Sequence, residues 1–167
     1  MIAASWPGLA DRKDLFEAGD PSRPIANILA PQEEWILQRF EHELAELRKR
    51  GKKVVLVLSS PRSRQFDPNT MLHRKGLLGW EVKLSPPVPR ARFEQLRAPI
   101  DDRLREIAAR VGASTIDPAN WLCSRDLCPS LDEQGRPLFK DLSHIRASVV
   151  RERFSALDQF VYLSSPR

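Results

Sequence analysis

Asp141-Leu142-Ser143-His144 stands where a loop gives way to an amphipathic stretch. An Asp three residues ahead of a His can bring both side chains to one point. The His would serve as general base, and the Asp would fix its tautomer and stabilise the imidazolium. That is the chemistry of hydrolysis or acyl transfer through an activated nucleophile. The same spacing suits a plainer role, with Asp141 capping a helix that begins near Leu142 and His144 in its first turn. Ser143 lies too close in the chain to be activated through His144 in a relaxed turn, so it is not assigned as nucleophile.

The only cysteines, Cys123 and Cys128, lie five positions apart. A disulfide closing so small a loop contributes about 2 kcal/mol in the chain-entropy treatment, if unstrained. A metal pair would lack partners, since no second cysteine pair exists and His144 is the one nearby imidazole. The spacing is too wide for a Cys-x-x-Cys redox motif. A structural disulfide is the preferred reading, with reduced buried thiols and a metal pair as alternatives; it requires Cα atoms within roughly 7 Å. No cofactor or metal is expected.

The elements that would position these residues follow from periodicity. Pro31 to Arg50 reads as a helix, with Pro at its first position, Glu33 and Glu34 early, and basic residues before Gly51. Ile36, Leu37, Phe40, Leu44 and Leu47 form its apolar stripe, and His42 lies off it as a solvated residue. The VVLVL run after Lys53 reads as a parallel strand buried on both faces. Arg90 to Val111 is a second helix, which Pro99 should kink or break. Ala113 to Asp117 is a third strand, Met1 to Ser5 a first, and Ile145 to Val161 a last helix. Asp11 to Ala30 and Pro61 to Pro89 read as irregular connections, with His73 on the second as an exposed loop histidine. Helix, glycine and buried strand in succession make an α/β chain of one domain over residues 1–167.

Composition excludes several classes. An apolar content of 41% and a charged content of 29% are those of a globular protein. No run approaches the roughly 20 apolar residues of a membrane span. The net charge of +5 comes from basic residues dispersed among acids, without the aromatic-basic pattern of a nucleic-acid groove, so no nucleic-acid partner is expected.

Leu122-Cys123, Cys128, Gly135-Arg136-Pro137-Leu138-Phe139-Lys140-Asp141 and His144 together form a specific string. It resembles the last block of SGNH domains, serine esterases and acyltransferases, and in particular the SGNH domain fused behind acyltransferase family 3 membrane proteins. Phe139 stands where that pattern has Tyr, and Ile145-Arg146 where it has Leu-Ser. Ala3-Ala4-Ser5-Trp6 is similar to an internal strand of those domains, and Pro61 with Phe66-Asp67-Pro68 to a later loop. In the family a Gly-Asp-Ser nucleophile block precedes the Trp strand. Gly19-Asp20-Pro21-Ser22 is no substitute, because Pro21 divides it and it follows that strand.

The resemblance implies a three-layer α/β/α sandwich around a parallel sheet, of which this chain is the later, N-terminally incomplete part. It implies an O-acyltransferase, specifically an O-acetyltransferase of bacterial surface polysaccharide or lipopolysaccharide. Asp141 and His144 would be the base pair and the serine would lie upstream. A non-catalytic α/β interaction module is the alternative. The implied setting is the periplasmic face of the inner membrane, with a glycan or acyl-ester substrate and a membrane-embedded acyltransferase domain as partner. The Cys123–Cys128 disulfide agrees with such an oxidising compartment. A sheet edge left uncovered by missing strands would favour self-association.

Overall fold

The structure, a computed structural model, describes residues 2–3, 15–17, 20–25, 28–76, 79–154 and 157, with side chains from Ile28 onward. In chain order its strands are β1 Ile2–Ala3, β2 Leu15–Glu17, β3 Asp20–Ile25, β4 Val55–Val57, β5 Leu72–Lys75, β6 Gly79–Val82, β7 Val88–Pro89, β8 Ser114–Ile116 and β9 Leu127–Cys128. Its helices are α1 Glu34–Lys49, α2 Arg90–Val111, α3 Ala119–Leu122 and α4 Ala147–Arg153. Contacts divide the chain into two compact units, Met1–Ser59 with Gln95–Asp117, and Ser60–Glu94 with Pro118–Arg167.

The first unit is built on a parallel sheet in the order β1-β4-β8, with Leu56 opposite Ile2 on one side and Thr115 on the other. Successive residues of a strand face opposite sides. Val54, Leu56 and Leu58 therefore share a face, where they pack with Leu37 and Leu44 of α1 and Ile100, Leu104 and Ile107 of α2. Val55 on the other face is buried as well. This is the α/β class with a parallel sheet that the sequence implies. Both helices end in the expected way: Gly51 and Gly112 take positive φ, 72° and 69°, which lets the chain reverse into the next strand. Bidentate contacts of Arg110 to Glu41 (2.7 and 2.8 Å) and an ion pair of Arg103 with Glu34 join α1 to α2.

Three expectations need correction in detail. Helix α2 runs through Pro99 without a break. Pro99 is exposed, so the Gln95 carbonyl that loses its donor lies on a face open to water. Part of the first irregular connection is an antiparallel ribbon, β2 with β3, whose register pairs Leu15 with Ile25. Such a ribbon consists only of edges, where Pro21 and Pro24 are tolerated. The second connection holds two 3₁₀ turns, Arg64–Phe66 and Pro68–Met71, and the hairpin of β5 with β6. Ala4, Ser5, Trp6 and Val161 lie outside the described residues.

A buried polar group sits where β4 and β8 end. Arg97, 4% exposed, donates two bonds to Asp117 (2.9 and 2.7 Å) and one to the Ser59 carbonyl (2.8 Å). Its Nε lies 3.3 Å from Asp101 Oδ2, and Ser59 Oγ lies 3.3 Å from Asp101 Oδ1. Burial pushes the Asp101 carboxyl up, with Arg97 the main opposing influence. Removing the cation takes away the main partner of Asp117 and Asp101, with Arg105 still 3.5 Å from Asp117 Oδ2. Arg97→Ala should therefore cost about 3–5 kcal/mol in urea unfolding, the scale for breaking a buried pair. Asp101→Asn, which removes a poorly solvated carboxyl, should cost far less.

The second unit gathers around Phe66, Val88, Phe93, Ala119, Leu122, Cys128, Leu138 and Phe139. Phe66 and Phe139, both fully buried, stack with centroids 4.3 Å apart and planes 7° from parallel. The stack joins the loop that follows β4 to the segment that carries Asp141.

Candidate active site

From Cys128 to Ala147 the chain makes two tight turns in succession, each organised by an aspartate. Asp132 Oδ1 accepts from the backbone N–H of Gln134 (3.0 Å) and of Arg136 (2.8 Å), and its Oδ2 accepts from Arg136 Nε. Gly135 supplies the positive φ, 77°, that this turn requires. The turn closes with Leu131 paired to Pro137. The second turn closes with Phe139 paired to Ile145, reinforced by Lys140 N–H to the His144 carbonyl (2.7 Å) and Arg146 N–H to the Leu138 carbonyl (3.0 Å).

Inside the second turn the two oxygens of Asp141 have separate tasks. Oδ1 accepts from the backbone N–H groups of Ser143 and His144, each at 2.9 Å. Oδ2 meets His144 Nδ1 at 2.8 Å. The N–H of His144, then that of Ser143, draw the Asp141 carboxyl from its ordinary value of 3.8 down to about 2. An ionised carboxylate can only accept, so Nδ1 carries the proton and Nε2 is left as the basic nitrogen. The His144 side chain is 76% exposed, so its ring is open to a reacting partner.

The loop after β4 holds this turn from behind. Ser60 Oγ donates to the Ser143 carbonyl at 2.8 Å, and Ser63 N–H to the Leu142 carbonyl at 3.0 Å. Asp67 organises the next turn, accepting from Asn69 N–H and Nδ2 at 2.9 Å each. An open cleft of about 540 Å³ lies beside the turn, with Pro68, Asn69, Lys140, Ile145 and Arg146 in its lining.

The helix-cap reading of Asp141 is overturned. Helix α4 begins at Ala147, not near Leu142, with Arg146 at its N-cap and no side-chain cap bond. Asp141 clamps a turn that the antiparallel pairing of Phe139 and Ile145 isolates from the helix. His73, on β5, and His42, on α1, are both exposed. Cys123 and Cys128 are joined, with Cα atoms 4.1 Å apart, so the thiol and metal alternatives for them are closed. Ser124 folds the loop between the cysteines by accepting from Leu127 N–H at 3.1 Å and donating to its carbonyl at 3.0 Å. Sequence reasoning missed the supports at Ser60 and Ser63, whose only signal is a pair of hydroxyl residues after a buried strand.

A local His–Asp pair of this kind is an arrangement used by hydrolases and acyltransferases that act through an activated nucleophile. The chain matches the family described as SGNH domain (fused to AT3 domains) over residues 1–156, and it belongs to that family. No curated protein and no solved structure matches it. Fusion to AT3 domains places a membrane acyltransferase among the partners of such domains. Among the described residues no helix is long and apolar enough to cross a membrane.

Two measurements check this geometry. Carbon-detected titration should give Asp141 a midpoint near 2. Because its folded value is depressed, its support for the turn is complete above the ordinary carboxylate range and is lost as pH falls from about 4 through 2. Arg146→Ser, which supplies a capping hydroxyl at the start of α4, should stabilise the protein by about 1 kcal/mol in thermal melts.

Proposed function

We propose that Asp141 and His144 are the base pair of a Ser-His-Asp site in an O-acyltransferase that acetylates bacterial surface polysaccharide or lipopolysaccharide at the periplasmic face of the inner membrane. The observation that carries this reading is the division of Asp141: one oxygen builds the turn, the other fixes Nδ1, and the imidazole is left largely exposed. The disulfide agrees with an oxidising compartment. Membership of a family fused to membrane acyltransferase domains supports acyl transfer over an unrelated use of the pair.

In this reading the serine belongs to a Gly-Asp-Ser segment that precedes these 167 residues, the order of motifs in the family. His144 Nε2 takes the proton from the serine Oγ as Oγ attacks the acyl carbonyl. The imidazolium then returns that proton to the leaving group. A glycan hydroxyl, deprotonated by the same nitrogen, next attacks the acyl-enzyme ester and releases the serine. Asp141 stays ionised throughout, holding the ring and balancing its transient charge. Asn69 Nδ2 donates to Asp67, and Asn120 accepts from Arg90 through Oδ1; neither asparagine is assigned to an oxyanion hole.

The 167-residue chain alone should hydrolyse p-nitrophenyl acetate no faster than background, since positioned oxyanion donors and a nucleophile supply most of the stabilisation. Joined to the Gly-Asp-Ser segment it should gain esterase or O-acetyltransferase activity. In that longer protein His144→Ala should abolish turnover, and Asp141→Asn should lower kcat by up to ~10⁴-fold, the scale of a wrong-tautomer effect. Undiminished activity in His144→Ala would end the catalytic reading.

A further inference from the structure

The register of the second turn fixes which residues stand with His144. Phe139 pairs with Ile145, so Lys140 lies opposite His144, and Arg146 lies two residues beyond His144 on the same segment. Residues directly opposite or two apart share a face of paired backbone, which sets Lys140 and Arg146 on the His144 side. All three are exposed. The same two cations border the cleft beside the turn, and no acid is in its lining. Among the described residues the side chains of Lys140 and Arg146 enter no ion pair or hydrogen bond. The acids nearest them in the chain are engaged: Asp141 with His144 and two backbone N–H groups, Asp67 with Asn69, Glu152 with Arg136. Arg136, by contrast, is matched by Asp132 as well as Glu152. Two like charges on one face without a counter-charge favour an anion there.

The neighbours narrow the kind of anion. A guanidinium offers a planar fork to carboxylate or phosphate, and a lysine adds a point charge. Asn69 gives Nδ2 to Asp67, which leaves its Oδ1 to accept from a hydroxyl. Pro68 and Ile145 bring apolar surface to the cleft, whose volume of about 540 Å³ suits a small ligand. An anion that also carries hydroxyls and C–H faces is an acidic sugar. We propose that Lys140 and Arg146 form an anion subsite beside His144 that holds the carboxylate or phosphate of an acidic sugar in the acyl acceptor. The role of that sugar as acceptor rests on the reading of His144 as the base of acyl transfer; its binding does not.

The test is titration of the 167-residue chain with glucuronic acid, glucose 6-phosphate, glucose and inorganic phosphate, followed through backbone amide chemical shifts. At least one sugar acid should shift the amides of Asn69, Lys140 and Arg146, and the tighter of the two identifies the group held as carboxylate or phosphate. Glucose, which lacks the charge, should bind about tenfold more weakly or not at all. Lys140→Gln and Arg146→Gln, both at exposed positions, should each weaken binding by about fivefold, the scale of one exposed ion pair. Added salt should weaken it in the native chain. Unchanged amide shifts away from the cleft would confirm that the variants are folded. The proposal is overturned if neither sugar acid moves these amides, if either variant binds as the native chain does, or if glucose binds equally well. It is also overturned if inorganic phosphate binds as tightly as the sugar acids, since the cations would then hold any anion. The catalytic reading fails separately, through undiminished turnover of His144→Ala in the longer protein.

Discussion

The interaction on which the candidate site depends is the acceptance of two backbone N–H groups by one oxygen of Asp141. Those bonds turn the chain so that the imidazole of His144 folds back onto the other oxygen. They also hold the carboxyl ionised, which in turn fixes the proton on Nδ1. Geometry, charge state and tautomer therefore share one cause. A carboxylate with a single oxygen to offer could build the turn or orient the ring, but not both. Neighbouring Asp132 makes a similar turn and spends its second oxygen on Arg136 instead. The difference between a structural turn and a candidate catalytic one is the partner of that second oxygen.

The turn needs a firm base, and its base is hydrophobic. Phe139, immediately before Lys140 and Asp141, is buried in the stack with Phe66, while Ser60 and Ser63 hold the Ser143 and Leu142 carbonyls. A tyrosine at position 139 would have to find a partner for a buried hydroxyl; phenylalanine fills the stack without that cost. The disulfide does similar work one step upstream. It closes a loop whose second cysteine enters the core and pairs, through β9, with β7. These contacts lie within one compact unit, so the pair is held by its own surroundings.

Much of this was legible in the sequence, for reasons that differ from element to element. The helix of Glu34–Lys49, the strand at Val55 and the strand at Ser114 follow from periodicity and glycine stops, which are local signals. The Asp141–His144 contact was legible because a three-residue separation limits where the side chains can go. The start of α4 was not, because the antiparallel pairing of Phe139 with Ile145 extends the turn beyond what helical spacing alone suggests. The β5–β6 hairpin escaped for the opposite reason. Prolines on both sides of it made the whole stretch read as irregular, and no buried alternation marks strands exposed on both faces. The Arg97 group is a long-range effect: Ser59, Arg97, Asp101 and Asp117 meet only after the sheet and α2 have formed.

Local assembly of the pair has a consequence for how acyl transfer would respond to pH. In many sites an acid and a base titrate together, and neither ionisation can be assigned to one residue. Here Asp141 is held ionised by backbone donors as well as by the imidazole, the backbone N–H groups of His144 and Ser143 being the leading causes. Protonating or removing the imidazole therefore leaves the main stabilisation of the carboxylate in place. With its value near 2, the aspartate contributes no ionisation in the neutral range. Its negative charge is present across the whole interval in which a histidine base would work, and the turn that aims the ring keeps its shape over that interval. Any pH dependence of acyl transfer near neutrality would then originate in groups other than Asp141.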